Sequence, residues 1–204
     1  MKLYLVRHAQ SIDNKDTRVS LDDSPLSEEG KQQTRRLCDF FVDMDLAAIY
    51  TSPFQRTRET AKAIALLKGV KIIESKAIIE KKDASSFAGK RKEDLPWDII
   101  KKNRKNPDWR YEDGESFNDV KARVVAILAE LEKYESDVNI LMVSHHSFIK
   151  HLVGYVLLGD KFIPENYCSV TDRLVTKNTG ITVLERKQKY YESKPSWYLL
   201  TWMV

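Results

Sequence analysis

The chain begins with a short apolar run that ends abruptly in two polar, nitrogen-bearing side chains. Residues 3–6 are Leu-Tyr-Leu-Val, and Arg7 and His8 follow directly. Four consecutive apolar residues between polar neighbours predict a strand that is buried on both faces. In open α/β sheets, ligands bind just beyond the carboxyl ends of such strands. The start of the sequence therefore predicts a guanidinium and an imidazole where a substrate would bind.

Two further apolar runs end in polar residues in the same way. Residues 139–144 predict a second fully buried strand, which His145 and His146 follow, and a short strand at residues 46–50 leads to Ser52. The carboxyl ends of parallel strands meet at one edge of a sheet. We therefore expect the polar residues that follow these three strands to lie close together.

Helical patterns alternate with the strands along the chain. Ser27 and Ser116 are predicted N-caps, each followed by apolar residues at helical spacing. Strands separated by helices favour an α/β fold: a three-layer α/β/α sandwich with a mostly parallel central sheet. The predicted helices cover about residues 27–42, 54–67, 116–131 and 147–158, and the remaining strands cover 70–73 and two antiparallel edge strands at 180–185 and 197–202.

The length and the absence of linkers or repeats predict a single domain, residues 1–204. Its least regular part is residues 75–113, which are rich in Lys, Asp, Ser and aromatic residues and contain Pro96 and Pro107. A long insertion in a compact domain is typical of a functional loop. We expect this segment to form a lid or insertion over the site, with one or two short helices near residues 92–104.

The composition and charge limit the kinds of partner that we expect the protein to bind. With 42% hydrophobic and 31% charged residues and a net charge of +4, the chain has the balance of a soluble globular protein. No apolar run is long enough to cross a membrane, and the basic clusters lack a nucleic-acid-binding module. Two cysteines, Cys38 and Cys168, favour a reducing, cytoplasmic location. The basic clusters can attract an anionic substrate. No signal for an oligomeric state is present.

The residues expected at the strand ends suit phosphoryl chemistry. Arginine forks match tetrahedral oxyanions, so Arg7 and Arg56 are candidate phosphate ligands. An imidazole among arginines is biased to its neutral form, which can attack phosphorus. His8 or His145 could take this role, while a protonated second imidazole would stabilise the phosphoryl oxygens. The leaving group then needs a general acid, for which Glu80 is the best-placed candidate.

Six segments in order along the chain carry the pattern of a known family. They span nearly its whole length, so their combined signal is far more specific than the Arg-His pair alone. They are residues 7–14 (Arg-His-Ala-Gln-Ser-Ile-Asp-Asn), 23–33 (Asp-Ser-Pro-Leu-Ser-Glu-Glu-Gly-Lys-Gln-Gln), 50–61 (Tyr-Thr-Ser-Pro-Phe-Gln-Arg-Thr-Arg-Glu-Thr-Ala), 114–116 (Gly-Glu-Ser), 143–146 (Val-Ser-His-His) and 178–180 (Asn-Thr-Gly).

These segments resemble the histidine phosphatase superfamily, the phosphoglycerate-mutase-like proteins. The resemblance implies a phosphoglycerate-mutase-like fold and a metal-independent phosphomonoesterase with no cofactor. His8 would be the phosphorylated nucleophile and Glu80 the proton donor. From the residues alone, Asp83 is the second candidate for this acid. The residues that would hold the phosphoryl group are Arg7, Asn14, Arg56 and His145.

Two residues depart from the family pattern close to this site. Ala9 stands where the family has glycine, and it would be strained if the position needed a positive φ. His146 replaces another glycine and either lines the site or points away from it.

Other functions compete with the phosphatase. A phosphoglycerate-type phosphomutase would return the phosphoryl group to the substrate. A phosphate-binding protein with impaired catalysis would keep the pocket but not the reaction. A metal-dependent phosphoesterase would use His145, His146 and His151, although its carboxylate-rich motifs are missing. The expected substrate is a small phosphorylated anion, with a phosphoprotein as the alternative.

Overall fold

The computed structural model describes residues 1–204 and is built around one six-stranded sheet. Its strands are β1 (Lys2–Arg7), β2 (Ala48–Thr51), β3 (Ile72–Glu74), β4 (Asn139–Ser144), β5 (Ile181–Lys187) and β6 (Ser196–Thr201). They lie in the order β3-β2-β4-β1-β5-β6. The first four in this order are parallel, whereas β5 and β6 run antiparallel to their neighbours. The predicted mostly parallel sheet is confirmed, but β5 is not an edge strand, because it pairs with both β1 and β6.

Seven α-helices and four short 3₁₀ helices complete the fold. The predicted caps are present: Ser27 accepts a hydrogen bond from Gly30 N at 3.1 Å, and Ser116 forms a capping box with Asp119. The α-helices are α1 (Ile12–Lys15), α2 (Glu28–Phe41), α3 (Gln55–Lys68), α4 (Trp97–Asn103), α5 (Phe117–Leu131), α6 (His146–Leu158) and α7 (Pro164–Thr171). The 3₁₀ helices are Lys76–Ile78, Ser85–Phe87, Lys92–Asp94 and Gly159–Lys161.

Alternating side chains of the central strands divide the core in two. Leu3 and Leu5 of β1 pack in a cluster of 19 buried residues that includes the apolar faces of α5 and α6. Tyr4 and Val6 point the other way, into a cluster of 12 buried residues that includes α2 and α3. The sheet therefore lies between two helical layers, as predicted, and β1 is buried on both faces.

Residues 75–113 form an irregular segment outside the sheet, with α4 and three of the 3₁₀ helices. Phe87 and Ala84 pack against Val19 in a separate cluster of three buried residues. An isolated bridge between Arg18 and Arg91 ties the segment to the loop after α1. The short helices expected near residues 92–104 are present.

The sequence prediction did not include α1 or α7. The bounds of β2 and β3 lie one or two residues later than predicted. None of the helices combines the length and apolar character that a membrane crossing needs.

Candidate active site

The register of the central strands brings the residues that follow them together. Arg7 of β1 is paired with Ser144 of β4, and Val143 of β4 with Thr51 of β2. The next residue along each strand is then His8, His145 or Ser52. The rings of the two histidines lie with their centroids 5.2 Å apart. The predicted convergence at the carboxyl edge of the sheet is therefore observed.

His8 is buried, with 3% of its surface exposed, and its tautomer follows from its one hydrogen bond. Its Nδ1 lies 2.8 Å from the carbonyl oxygen of Ala9, which can only accept, so Nδ1 carries the proton. The lone pair on Nε2 is left free. Burial lowers the pKa of His8 well below its ordinary value, and the positive charges of Arg56 and Arg7 lower it further. The ring is therefore neutral at neutral pH and has the free lone pair that a nucleophile needs.

His145 is fully buried and uses both ring nitrogens. Nδ1 lies 3.3 Å from Arg56 Nη2, which only donates, so Nδ1 accepts and Nε2 carries the proton. Nε2 then donates to Ser52 Oγ at 2.7 Å, and Ser52 Oγ lies 2.7 Å from Thr57 Oγ1. Burial and the charge of Arg56 lower the pKa of His145 well below its ordinary value. In this arrangement His145 is neutral and orients Arg56.

Two guanidinium groups complete a cationic cluster, which we define as Arg7, His8, Arg56 and His145. Arg56 Nη1 donates to Leu21 O at 2.7 Å, and Arg7 Nη1 donates to Thr176 O at 3.2 Å. The Nε atom of each arginine is buried and has no hydrogen-bond partner. An unpaired buried donor costs about 1–3 kcal/mol. Such a cost at two neighbouring cations favours an anionic ligand that accepts from both.

Glu80 lies at the N-terminus of α6. Its Oε1 accepts hydrogen bonds from Ser147 N at 2.9 Å and Phe148 N at 3.1 Å, and also from Lys81 N at 2.9 Å. Oε2 accepts only from Ser147 N, at 3.2 Å. A helix N-terminus stabilises a carboxylate through these free amides and the helix dipole. Oε2 has the greater free lone-pair capacity and is the oxygen better able to carry a transferable proton.

The charge of Glu80 reaches the cationic cluster. Burial lowers the pKa of Arg7 and of Arg56, and in both cases the carboxylate of Glu80 opposes that shift. The second candidate acid, Asp83, makes no hydrogen bond to the protein through its carboxyl group. Withdrawal of that group from water raises the pKa of Asp83, although the residue keeps an exposed surface, and the charge of Glu80 raises it further. The structure therefore places both candidate acids near one another.

Asn14 is connected to His8 through Asn178. Asn178 Nδ2 donates to His8 O at 2.8 Å and contacts Asn14 Oδ1 at 3.5 Å, while Asn14 Nδ2 donates to Ser20 Oγ at 3.2 Å. The side chain of Asn14 thus already has protein partners on both its oxygen and its nitrogen. Asn14 is therefore linked to the backbone of the candidate nucleophile through the side chain of Asn178.

Ala9 is accommodated without strain, because its φ is not positive. It is fully buried, and its amide donates to Thr60 Oγ1 at 3.1 Å. His146 contacts Thr176 Oγ1 through Nδ1, and the same hydroxyl lies 3.4 Å from Arg7 Nη1. Burial lowers the pKa of His146 to about 4. The imidazole that replaces the family's glycine is therefore linked to Arg7 through one threonine.

Several residues of the site were not predicted to be functional. Ser52 and Thr60 lie in the quoted segment 50–61 and Asn178 in 178–180, so the motifs themselves contained a signal for them. Thr176 stands outside every motif, and only the structure reveals its contacts with Arg7 and His146.

The histidines proposed for a metal-dependent alternative do not converge. His151 is buried beside aromatic rings, with centroids 5.5 Å from Phe117 and 4.3 Å from Tyr167. Its Nδ1 donates to Ser147 O at 2.8 Å and also lies 2.9 Å from the hydroxyl of Tyr167. No three His, Cys, Asp or Glu side chains are arranged to hold a metal ion.

Comparison with known proteins agrees with this geometry. The model of the histidine phosphatase superfamily (branch 1) matches residues 3–194. A phosphoserine phosphatase of Hydrogenobacter thermophilus is 35% identical over 150 residues, which cover 71% of each chain. A probable phosphoglycerate mutase of Enterobacter sp. (strain 638) is 29% identical over 100% of this chain and 91% of its own.

A bifunctional 6-phosphofructo-2-kinase/fructose-2,6-bisphosphatase of Caenorhabditis elegans is 30% identical over 75% of this chain. The match spans only 33% of that longer protein. Among solved structures, a mycobacterial glucosyl-3-phosphoglycerate phosphatase complexed with VO3 superimposes with a TM-score of 0.81, at 23% identity and 98% coverage of both chains. This last likeness concerns the fold.

The family model covers nearly the whole chain, and the residues of its characteristic motifs meet at one edge of the sheet. The chain is a member of branch 1 of the histidine phosphatase superfamily and an enzyme of the phosphomonoesterase type.

Proposed function

We propose that the chain hydrolyses phosphate monoesters through a phosphohistidine intermediate on His8, without a metal ion. The observation that carries this proposal is the pair of buried, unpartnered Nε donors of Arg7 and Arg56 beside a neutral histidine. A phosphoryl group supplies oxygens for both donors and an electrophilic phosphorus for the imidazole.

In the first step, the lone pair on His8 Nε2 attacks phosphorus and forms an N–P bond. The bond from phosphorus to the leaving oxygen breaks, and the electron pair stays on that oxygen. Glu80 enters this step protonated on Oε2, and that proton passes to the developing alkoxide and leaves Glu80 as a carboxylate. The carbonyl of Ala9 holds the Nδ1 proton of His8 and stabilises the positive charge that develops on the ring.

In the second step, water attacks the phosphorus of phosphohistidine. Glu80, now a carboxylate, takes a proton from that water, the N–P bond breaks, and its electrons return to His8 Nε2. Inorganic phosphate is released and the starting protonation states are restored.

Arg7, Arg56 and His145 stabilise the negative charge on the phosphoryl oxygens in both steps. When the dianion binds, we infer that Arg56 Nη2 turns from His145 Nδ1 to a phosphoryl oxygen. The negative charge of the ligand then raises the pKa of His145, which can become a second donor. By resemblance to the family, Asn14 would be a further ligand of the phosphoryl group.

The choice of Glu80 as the proton donor is supported by its position. Its carboxyl group is fixed by backbone amides, and its charge acts on both arginines of the cluster. Asp83 has no such fixed geometry. We therefore assign the proton transfer to Glu80 and keep Asp83 as the alternative acid that mutation distinguishes.

We propose that residues 75–113 form a lid that selects a small, anionic phosphorylated substrate. The segment contributes Glu80 and Lys92, whose positive charge also acts on the pKa of His8. The relatives named above as phosphatases act on phosphoserine, fructose 2,6-bisphosphate or glucosyl-3-phosphoglycerate, all of them small anions. The unpaired Cys38 and Cys168 support a reducing, cytoplasmic location.

The proposal is tested by hydrolysis of an aryl phosphate in excess chelator, together with chemical trapping of acid-labile phosphate on the protein. We expect activity in chelator, and loss of both activity and trapped phosphate in His8→Ala. His151→Gln is the matched control, because His151 is also buried but lies among aromatic rings away from the cluster. Full activity of His8→Ala would falsify the mechanism.

Two further measurements separate the alternatives. Glu80→Gln should lower hydrolysis of alkyl phosphates by about 10²-fold or more, whereas Asp83→Asn should not. Isomerisation of phosphoglycerate faster than its hydrolysis would favour the phosphomutase. Phosphate binding without turnover would favour a binding protein.

A further inference from the structure

A partly buried ion pair between Arg123 and Glu115 lies against the segment that carries Glu80. Arg123 Nε donates to Glu115 Oε1 at 2.9 Å and Arg123 Nη2 to Oε2 at 2.7 Å. The two side chains are 16% and 17% exposed, whereas at least one partner in every other ion pair is more than a third exposed. We call this bidentate pair the Arg123–Glu115 clamp.

The remaining donors of Arg123 bind the backbone around Glu80. Nη1 donates to Ala77 O at 2.8 Å and to Ile79 O at 3.0 Å, and Nη2 contacts Glu80 O at 3.4 Å. All five N–H groups of the guanidinium are therefore used, and three of them hold carbonyls of residues 77–80. This one side chain fixes the course of an otherwise irregular stretch.

Glu115 ties the other side of the same stretch. Its Oε2 accepts from Lys82 N at 2.8 Å, and its own amide donates to Lys82 O at 2.8 Å. Residues 77–82 are thus held both before and after Glu80 by the two members of the clamp.

The clamp also contacts Phe148, whose backbone amide binds the carboxylate of Glu80. The guanidinium of Arg123 lies over the ring of Phe148, 5.3 Å from its centroid. The amide of Phe148 is one of the donors to Glu80 Oε1. Arg123 therefore fixes the backbone of Glu80 relative to the start of α6.

We propose that the Arg123–Glu115 clamp positions Glu80 for proton transfer to the leaving group, an inference that rests on the proposed phosphatase mechanism. Neither member of the clamp contacts the cationic cluster through a hydrogen bond, so both act through Glu80. Displacing a positioned group by about 1 Å can lower a rate by about 10²-fold. Lysine is a poor substitute for Arg123, because it lacks the planar fork of five donors.

Substrates with different leaving groups test this role. An alkyl phosphate needs a proton on its departing alkoxide, whereas the phenolate of 2,4-dinitrophenyl phosphate leaves without one. We expect Arg123→Lys to lower kcat/KM for the alkyl phosphate by about 10- to 100-fold, because kcat/KM reports the step in which the leaving group departs. The value of kcat/KM for the dinitrophenyl ester should change less than about 3-fold, since general acid catalysis contributes little to that departure.

Three variants make the result specific. Glu115→Gln keeps an acceptor for Lys82 N but weakens the ion pair, so it should show the same pattern more mildly even if Arg123→Lys folds poorly. Glu80→Gln combined with Arg123→Lys should lose no more than Glu80→Gln alone. Arg58→Lys breaks another bidentate pair, with Glu74, which lies outside residues 75–113, and it should change the hydrolysis of neither substrate.

Equal losses on both substrates in Arg123→Lys, or additive losses in the double variant, would overturn the clamp while leaving the phosphohistidine mechanism intact. The mechanism itself fails if His8→Ala keeps full activity on the dinitrophenyl ester, whatever the Arg123 variants show. The two failures are therefore distinguishable within the same set of assays.

Discussion

Gly30 packs directly against the carbonyl of Gln10: a Cβ atom added at Gly30 would lie 2.1 Å from Gln10 O. Gln10 is two residues from His8, and its amide is held by Gln33 Oε1 at 2.9 Å. The first turn of α2 therefore sets the position of the loop that follows β1. This contact requires the absence of a side chain, whatever the φ of Gly30.

Gly30→Ala should destabilise the protein by about 1–3 kcal/mol, because backbone must move to relieve the clash. The displaced loop should also lower aryl phosphatase activity. Urea unfolding and initial rates measure the two effects. Gly69→Ala is the control: its φ is +64° in open space, so we expect about 1 kcal/mol of destabilisation with unchanged activity. Equal activity losses in the two variants would contradict the close-approach explanation.

Ala9→Gly restores the residue found in the family at this position. Since the φ of Ala9 is not positive, glycine relieves no strain and adds conformational entropy to the unfolded chain. We expect a loss of about 0.5–1 kcal/mol in the free energy of unfolding and no gain in kcat. A several-fold increase in kcat, measured on the same aryl phosphate, would show that alanine restrains the loop.

The sequence predicted the convergence of His8 and His145 because two residue patterns and one topological rule were enough. Each apolar run identified a buried strand, and parallel strands present their carboxyl ends at the same edge. Arg56 and Glu80 were already candidates from their residue types and places in the chain, and the motif resemblance supported the same roles. What holds Glu80 is a set of amides 67 and 68 residues further along the chain, a tertiary contact that no local pattern encodes.

The errors of the sequence prediction also come from tertiary contacts that local patterns do not encode. The pattern of β5 identifies a strand but not its neighbours, so its place between β1 and β6 was not apparent. Eight residues form α7 without a distinct apolar stripe. Thr176 bridges His146 and Arg7 across 30 and 169 residues, and threonine is common enough that its presence there carried no signal.

His151 makes the stability of the fold depend on pH. Burial lowers its pKa to about 3, so the unfolded chain, with a pKa near 6.5, binds the proton more tightly. The folded state therefore has its full stability, as far as His151 is concerned, above pH 6.5, and it loses stability as the pH falls towards 3. We expect the term from His151 to be about 3 kcal/mol smaller at pH 4 than at pH 7.

His151→Gln isolates this term, because glutamine keeps an N–H donor for Ser147 O but does not titrate in this range. Urea unfolding at pH 7 and pH 4 should give a smaller difference for the variant than for the wild type. The carboxylates and the other histidines titrate in both proteins, so their contributions cancel in the comparison. Identical pH dependence in the two proteins would contradict a neutral, buried His151.

The contact of His146 with Thr176 should strengthen anion binding by holding Arg7. Arg7 Nη1 can only donate to Thr176 Oγ1, so that hydroxyl is free to donate its own hydrogen bond to His146 Nδ1 when the ring is neutral. With its pKa lowered to about 4, His146 is neutral from about pH 5 upwards. His146→Gly removes the hydrogen bond between His146 and Thr176, and such a bond is worth about 0.5–1.5 kcal/mol. The variant should therefore weaken inhibition by vanadate by about 2- to 10-fold.

Thr176→Val should weaken vanadate inhibition to a similar degree, and the double variant should be no weaker than the single ones, because both act on the same contact to Arg7. His146→Asn should recover part of the affinity, since its amide can still bond the hydroxyl. The loss of vanadate affinity in His146→Gly should be constant between pH 5 and pH 8, where His146 does not change charge. Additive losses, or an effect confined to acidic pH, would instead indicate that His146 contacts the anion directly as a cation.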